Sequence, residues 1–178
     1  MSGYAAFLRG INLGPRRRIG SAELRSLFEA MGFEGVDTFR SSGNVVFDAD
    51  REPTTARIEE DLAASLRYEV DVFLRTAGEV RAIAEHEPFS RRLVEGSQGK
   101  LQVALLAAKP NARVRKEVLA LATDEDRLAF GERELYWLPS GGTRDSALGM
   151  KTIDEALGGA TMRTKGTIEQ LAAKYFRD

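Results

Sequence analysis

VDTFRSSGNVVF, residues 36–47, decides the reading of the fold. Residues 36–40 and 44–47 are two strand-like runs. Ser41-Ser42-Gly43 between them is hairpin chemistry, because glycine supplies the positive φ that a tight turn demands. Upstream, residues 4–8 form a short apolar run that reads as a buried strand. Ser21 stands where it can cap a helix whose apolar positions Leu24, Leu27, Phe28 and Met31 fall at i, i+3, i+4 and i+7, and Gly32 stands where that helix should end. Downstream of Pro53, residues Ile58, Leu62 and Leu66 recur at helical spacing. Residues 69–74 then alternate, with Val70, Val72 and Leu74 on one face. The order is β-α-β-β-α-β, the split βαβ or ferredoxin-like unit.

The same order runs through the second half. Residues 77–85 read as a connecting helix ended before Pro88, and Gly96-Ser97-Gln98-Gly99-Lys100 is a polar break placed as a hinge. A strand is expected at 101–106 and a helix capped by Asn111 carrying Val114, Val118 and Leu121. A hairpin is expected around Gly131-Glu132-Arg133, then a helix over 146–157 and a short strand at 160–163. The last helix is expected to start at Thr167, with Gln170 at capping-box spacing and Ile168, Leu171, Ala172 and Tyr175 as its stripe. The expected architecture is therefore α+β: two ferredoxin-like (βαββαβ, α/β plait) subdomains plus a C-terminal helix. The boundaries are 1–75 for the first, 76–99 for the connecting helix and hinge, and 100–178 for the second. The repeat is read as one of element order, without residue identity.

Bulk properties narrow the function classes. The chain has 178 residues, 26 basic against 27 acidic, and a formal net charge of -1. Global charge therefore makes no case for a nucleic acid or a membrane surface as partner. No cysteine is present, which removes disulfides, thiolate metal ligands and thiol nucleophiles together. With one histidine as well, no metal site is expected. No apolar stretch approaches the ~20 residues that span a bilayer, and the N-terminus lacks signal-peptide character, so a cytoplasmic location is expected. Nothing in the sequence names a cofactor or an oligomeric state.

In a unit of this order the first and third strands are neighbours, so the loop after strand one meets the hairpin at one end of the sheet. That end gathers Arg9, Gly10, Asn12, Gly14, Arg16, Arg17 and Arg18 with Arg40, Ser41, Ser42, Gly43 and Asn44, beside a helix N-terminus. Residues 9–20 match neither the dinucleotide G-x-G-x-x-G nor the P-loop spacing. In the second half, residues 138–144 are expected beside 163–167. The leading reading is binding of a small anionic ligand, phosphate- or nucleotide-like, with Arg9 and Arg40 on the anion and Asn12 and Asn44 orienting it. The alternatives are an enzyme of unknown reaction, for which only Glu23 or Glu69 offers a nearby base, and a nucleic-acid or protein-interaction module, which is not favoured. No catalytic residue is assigned. Tyr136-Trp137 reads as core. The acidic runs 48–50 and 124–126 read as solvated turns, and His86 as an exposed helix-end residue.

FLRGINLG at 7–14, FRSSGNVVF at 39–47 and ATMRTKGTIEQL at 160–171 resemble the bacterial family called domain of unknown function 1697 (DUF1697). The resemblance spans essentially the whole chain. It implies two ferredoxin-like halves and implies no activity. The family's motif positions fall on Arg9, Gly10, Asn12 and Gly14, on Ser42, Gly43 and Asn44, and on Thr161, Arg163 and Thr167. Thr164-Lys165-Gly166 stand where the family usually has Asn-Trp-Asn.

Overall fold

The computed structural model describes residues 1–11, 18–40, 43–143, 146, 148 and 150–177. It is a mixed α+β chain with two four-stranded antiparallel sheets and, among the described residues, seven helices. The chain divides into two compact units, Met1–Ala82 with Leu171–Asp178, and Ile83–Gln170.

The first unit contains β1 (Ser2–Arg9), α1 (Ser21–Ala30), β2 (Glu34–Thr38), β3 (Asn44–Ala49), α2 (Thr55–Leu66) and β4 (Asp71–Thr76), with strand order β2-β3-β1-β4. Tyr4, Ala6 and Leu8 of β1 join Val45 and Phe47 of β3 on one face, packed against Leu24 and Phe28 of α1 and Ile58 and Leu62 of α2. Phe47 is the centre of this core. Its ring lies 4.2 Å from Phe33, 5.6 Å from Phe28 and 5.8 Å from Tyr4. Each such side chain, fully buried, contributes about 1.5–3 kcal/mol. The opposite face carries Ala5, Phe7, Val46, Phe73 and Arg75, all buried as well. Burial on both faces is why residues 4–8 are a continuous apolar run rather than an alternating one.

Three element ends differ from expectation, each for a local reason. Ser21 is the first residue of α1 rather than its cap; Gly20 takes that place and makes no side-chain cap bond. Strand β2 lies earlier than 36–40, because the pairing with β3 shifts between Glu34 and Asp37, and the Phe39 N–H turns to the Asn44 carbonyl instead. Strand β4 runs on to Thr76, where the Thr76 N–H donates to Glu79 and the Glu79 N–H donates to the Thr76 hydroxyl. That reciprocal capping box starts α3 (Ala77–Glu85) without an intervening loop.

The second unit contains α4 (Arg91–Gly96), which the sequence reading did not anticipate, then β5 (Gln102–Leu106), α5 (Ala112–Leu119), β6 (Asp126–Phe130), β7 (Glu134–Pro139), α6 (Met150–Leu157) and β8 (Ala160–Thr164). Its strand order is β6-β7-β5-β8. Ala104, Val118, Leu135 and Ile153 form one cluster of its core. Tyr136 and Trp137 are buried, as expected of core residues. Helix α7 (Lys165–Tyr175) starts two residues before Thr167. The Thr164 hydroxyl, not Thr167, accepts the first free N–H, that of Thr167 at 3.2 Å.

The registers show that the repeat extends to residue identity. Arg75 on β4 opposes Ala5 on β1; Arg163 on β8 opposes Val103 on β5. Arg75-Thr76-Ala77-Gly78 thus corresponds to Arg163-Thr164-Lys165-Gly166. In both copies the arginine donates to the carbonyl of the residue before it, Leu74 or Met162, at 2.9 Å. In both the threonine caps the helix that follows, and Val80 or Ile168 is fully buried one turn later. Among the described residues no helix is long and apolar enough to cross a membrane.

Candidate functional site

The end of the first sheet carrying Arg9 is built by the β2–β3 hairpin. The Leu8 N–H donates to the Gly43 carbonyl at 2.8 Å, tying β1 to the turn. The Phe39 N–H donates to the Asn44 carbonyl at 2.9 Å. The Asn44 side-chain amide donates back to the Phe39 carbonyl, also at 2.9 Å. Asn44 is 1% exposed, so its side chain is an internal brace rather than a group presented to a ligand. Gly43 sits at φ +77°, and a Cβ there would lie 2.9 Å from a methyl of Ile11 and 3.1 Å from the Leu8 Cβ. Conformation and space both demand glycine at this position. Gly10, at φ +85°, turns the chain out of β1.

Two cations stand on this frame. Arg9 is half-buried at the last position of β1, across from Asp71 in the register with β4. Arg40 is exposed and holds φ +60°, a left-handed conformation that costs an L-residue about 1–2 kcal/mol. Among the described residues the other non-glycine at positive φ is Arg67, which closes α2 in the ordinary way of helix ends. Asn12, Gly14 and Ser42 lie outside the described residues, as do Ser41, Arg16 and Arg17.

Arg163 and Thr167 belong to the second unit. Arg163 donates to the Thr161 hydroxyl at 2.8 Å, and burial pushes its guanidinium down to about 10. It therefore stays protonated at neutral pH. Thr167 is buried, with its hydroxyl oxygen 2.7 Å from that of Thr164. Its side chain is engaged at the helix start. Lys165, in the segment that departs from the family pattern, is buried. Its ammonium donates to the Ala84 carbonyl at 3.0 Å and to Glu169 at 2.9 Å.

Sequence reasoning missed the surroundings of Phe39. Arg40 places its guanidinium 5.5 Å from the Phe39 ring centre, and Lys174 its ammonium at 6.0 Å. Tyr175 packs edge-on against the same ring at 6.1 Å. The Tyr175 hydroxyl donates to Asp37 at 2.7 Å, and Arg25 reaches the other carboxylate oxygen at 2.9 Å. No local pattern could reveal a partner 138 residues away. The Tyr175 hydrogen bond, above all, holds the Asp37 carboxyl below the usual carboxylate value. Burial first, then the same bond, pushes the Tyr175 phenol up. A depressed carboxyl stabilises fully above its unfolded pKa, and that contribution is lost as pH falls through the folded value. A raised phenol stabilises below its unfolded pKa and loses that as pH rises through the folded value. Asp37→Asn is accordingly expected to flatten the acid limb of a thermal-melting profile below about pH 4. An unchanged acid limb would show that the pair is not formed.

Other groups do not converge on chemistry. Among the described residues no group of three or more His, Asp or Glu could hold a metal. A depression of about 460 Å³ in the first unit is lined by Asp50, Arg51, Arg57 and Asp61, and does not include Arg9 or Arg40. In the second unit, His86 and Lys165 line a smaller cavity of about 180 Å³. His86 is exposed and rests at 5.0 Å on the buried Tyr136 ring. His86→Gln is expected to cost less than about 1 kcal/mol by denaturant titration, the value of one ring contact. A larger loss would mean the ring is a structural strut.

No curated protein matches the chain. Among solved structures, the conserved bacterial protein SP0830 from Streptococcus pneumoniae is similar over 99% of each chain, with a TM-score of 0.76 and 20% identity. That likeness establishes a shared fold. The family described as protein of unknown function (DUF1697) matches residues 1–136, and the chain belongs to that family.

Proposed function

We propose that the first of two ferredoxin-like units binds a small anionic ligand, phosphate- or nucleotide-like, at Arg9, Gly10, Arg40 and Gly43, with Asn44 bracing the hairpin beneath them. The strand orders β2-β3-β1-β4 and β6-β7-β5-β8 support the plait reading of both units. The observation that carries the site is Arg40. An arginine is held in a left-handed conformation by a hairpin locked through Leu8, Gly43, Phe39 and Asn44. Strain of this kind persists only where the surroundings over-determine it, and it concentrates at ligand clamps. Arg9 has the complementary virtue of a rigid base, being the last residue of a strand paired on both sides. Charge-assisted hydrogen bonds from such preorganised guanidinium groups contribute about 1.5–3 kcal/mol.

The test is a thermal-shift screen of inorganic phosphate, nucleotides and phosphorylated metabolites. A ligand at a hundred times its dissociation constant adds about 2.7 kcal/mol of stability, a shift of several degrees. Arg9→Lys is expected to abolish that shift, because an ammonium cannot reproduce the bidentate fork. Changing Arg16, Arg17 and Arg18 together to Ser is expected only to weaken it. If no anion shifts the melting temperature and Arg9→Lys merely destabilises the free protein, the end of the sheet is structural.

A further inference from the structure

Resting on that anion site, we infer that its ligand is a nucleoside phosphate, whose base stacks on Phe39 beside Tyr175 while Arg40 and Lys174 take the phosphate. The ring wall is fixed from both ends of the chain. Phe39 is oriented by two hydrogen bonds between its main chain and Asn44, and it follows Thr38, the last residue of the edge strand β2. Tyr175, on the last turn of α7, is pinned through its hydroxyl to Asp37. Asp37 is itself held by Arg25 and by the Thr38 N–H, at 2.9 Å each. The two rings meet nearly at right angles, with an interplanar angle of 84°. Phe39 is half-buried, which leaves part of its ring open to solvent.

The cations are placed differently from the rings. Arg40 and Lys174 are both exposed, and both lie over aromatic rings, with Lys174 also 5.0 Å from the centre of Tyr175. A guanidinium over an aromatic ring occupies the same kind of surface that a planar base would cover. When a base takes that face, the flexible stems of Arg40 and Lys174 allow both charges to swing to the phosphate. A bare phosphate would use the cations and leave the ring wall unused; an uncharged nucleoside would use the ring and leave the cations unused. The geometry provides for both parts at once.

Calorimetric titration with inorganic phosphate, ribose 5-phosphate, adenosine, AMP and GMP tests this. AMP or GMP is expected to bind at least about tenfold tighter than ribose 5-phosphate, the scale of one base stacked on an aromatic side chain. Phe39→Leu should close that gap while leaving ribose 5-phosphate binding within about twofold. Lys174→Gln should weaken ribose 5-phosphate and AMP by the same several-fold factor. Melting temperatures of both variants check that they are folded. Equal binding of AMP and ribose 5-phosphate would overturn the base assignment and leave the anion site standing. So would an AMP preference that survives Phe39→Leu. Adenosine binding as tightly as AMP would overturn the placement of the cations, and absence of binding by every phosphate would overturn the anion site itself.

Discussion

Gly99→Ala is expected to lower the stability of the second unit by about 2–3 kcal/mol, a fall in melting temperature on the order of 10 °C. A Cβ on Gly99 would lie closer than 3.0 Å to the carbonyl oxygens of both Pro139 and Gly141. Those are backbone atoms, so relief requires moving the chain after β7 rather than turning a side chain. That chain is tied down. The Ser97 hydroxyl donates to the Pro139 carbonyl, and the Gly99 N–H donates to the Ser97 hydroxyl at 3.1 Å. The Ser140 N–H donates to the Glu125 carbonyl at 2.8 Å, which fixes the same loop from its other side. Gly96 is the matched control. It lies three residues away, and nothing is within 4 Å of where its Cβ would be. Gly96→Ala at the end of α4 is expected to be neutral or stabilising by up to about 1 kcal/mol. The lone tryptophan, Trp137, lies in the second unit, so its fluorescence during denaturant titration reads both variants. Equal stability of the two would mean that the loop after β7 yields freely.

The contrast between these glycines shows what the sequence could and could not convey. Gly96-Ser97-Gln98-Gly99 is hinge-like by composition, and composition cannot distinguish a glycine that needs room from one that merely ends a helix. Gly43 was legible because a two-strand pattern flanked it, and a tight turn there has one cheap chemistry. Its second constraint, the closeness of Ile11 and Leu8, comes from tertiary packing. Helix α4 was missed because residues 91–96 are too short for an apolar period to stand out. Ser90 is the local signal, since its hydroxyl accepts the Leu93 N–H. The Arg-Thr-x-Gly repeat was readable without any structure. It lies at the junctions between strand and helix, where capping restricts residue choice, and not in the order of elements.

For the site, the positions of Arg9, Gly10, Gly43 and Asn44 followed from local pattern, but the role of Asn44 did not. An asparagine after a turn reads equally as a ligand contact or as a brace. Only the bond to the Phe39 carbonyl and its burial decide for the brace. Asp37 and Phe39 do not stand out in the sequence as elements of the proposed site, because Tyr175 and Lys174, which meet them, lie on α7. In the sequence Lys165 stands out only as a departure from the family pattern. Its burial against Glu169 and the Ala84 carbonyl shows a structural substitution at the start of α7.

The sequence pattern predicts Asp126 as part of a solvated turn, and the structure places it at 5% exposure instead. Its carboxylate accepts the Trp137 indole N–H at 2.8 Å and the Ser146 hydroxyl at 2.7 Å, both on one oxygen. Its own N–H is held by the Thr123 hydroxyl at 3.0 Å. The carboxylate thus joins the start of β6, the middle of β7 and the segment before α6. Asp126→Ala removes the acceptor and leaves the indole N–H of a 2% exposed tryptophan without a partner. Bonds to a charged acceptor contribute about 1.5–3 kcal/mol, and stranding a buried donor costs about 1–3 kcal/mol. The two figures describe overlapping losses, so the expected destabilisation is about 3 kcal/mol rather than their sum. Asp126→Asn keeps an amide oxygen in place and should cost about 1–1.5 kcal/mol, because the acceptor loses its charge but not its position. Trp137 reports directly: in the folded Asp126→Ala protein its emission should shift to shorter wavelength as the indole N–H loses its hydrogen-bond acceptor, while Asp126→Asn, which keeps an acceptor oxygen in place, should shift less. If Asp126→Ala unfolds within about 0.5 kcal/mol of wild type, the three segments are held by apolar packing of Trp137 alone.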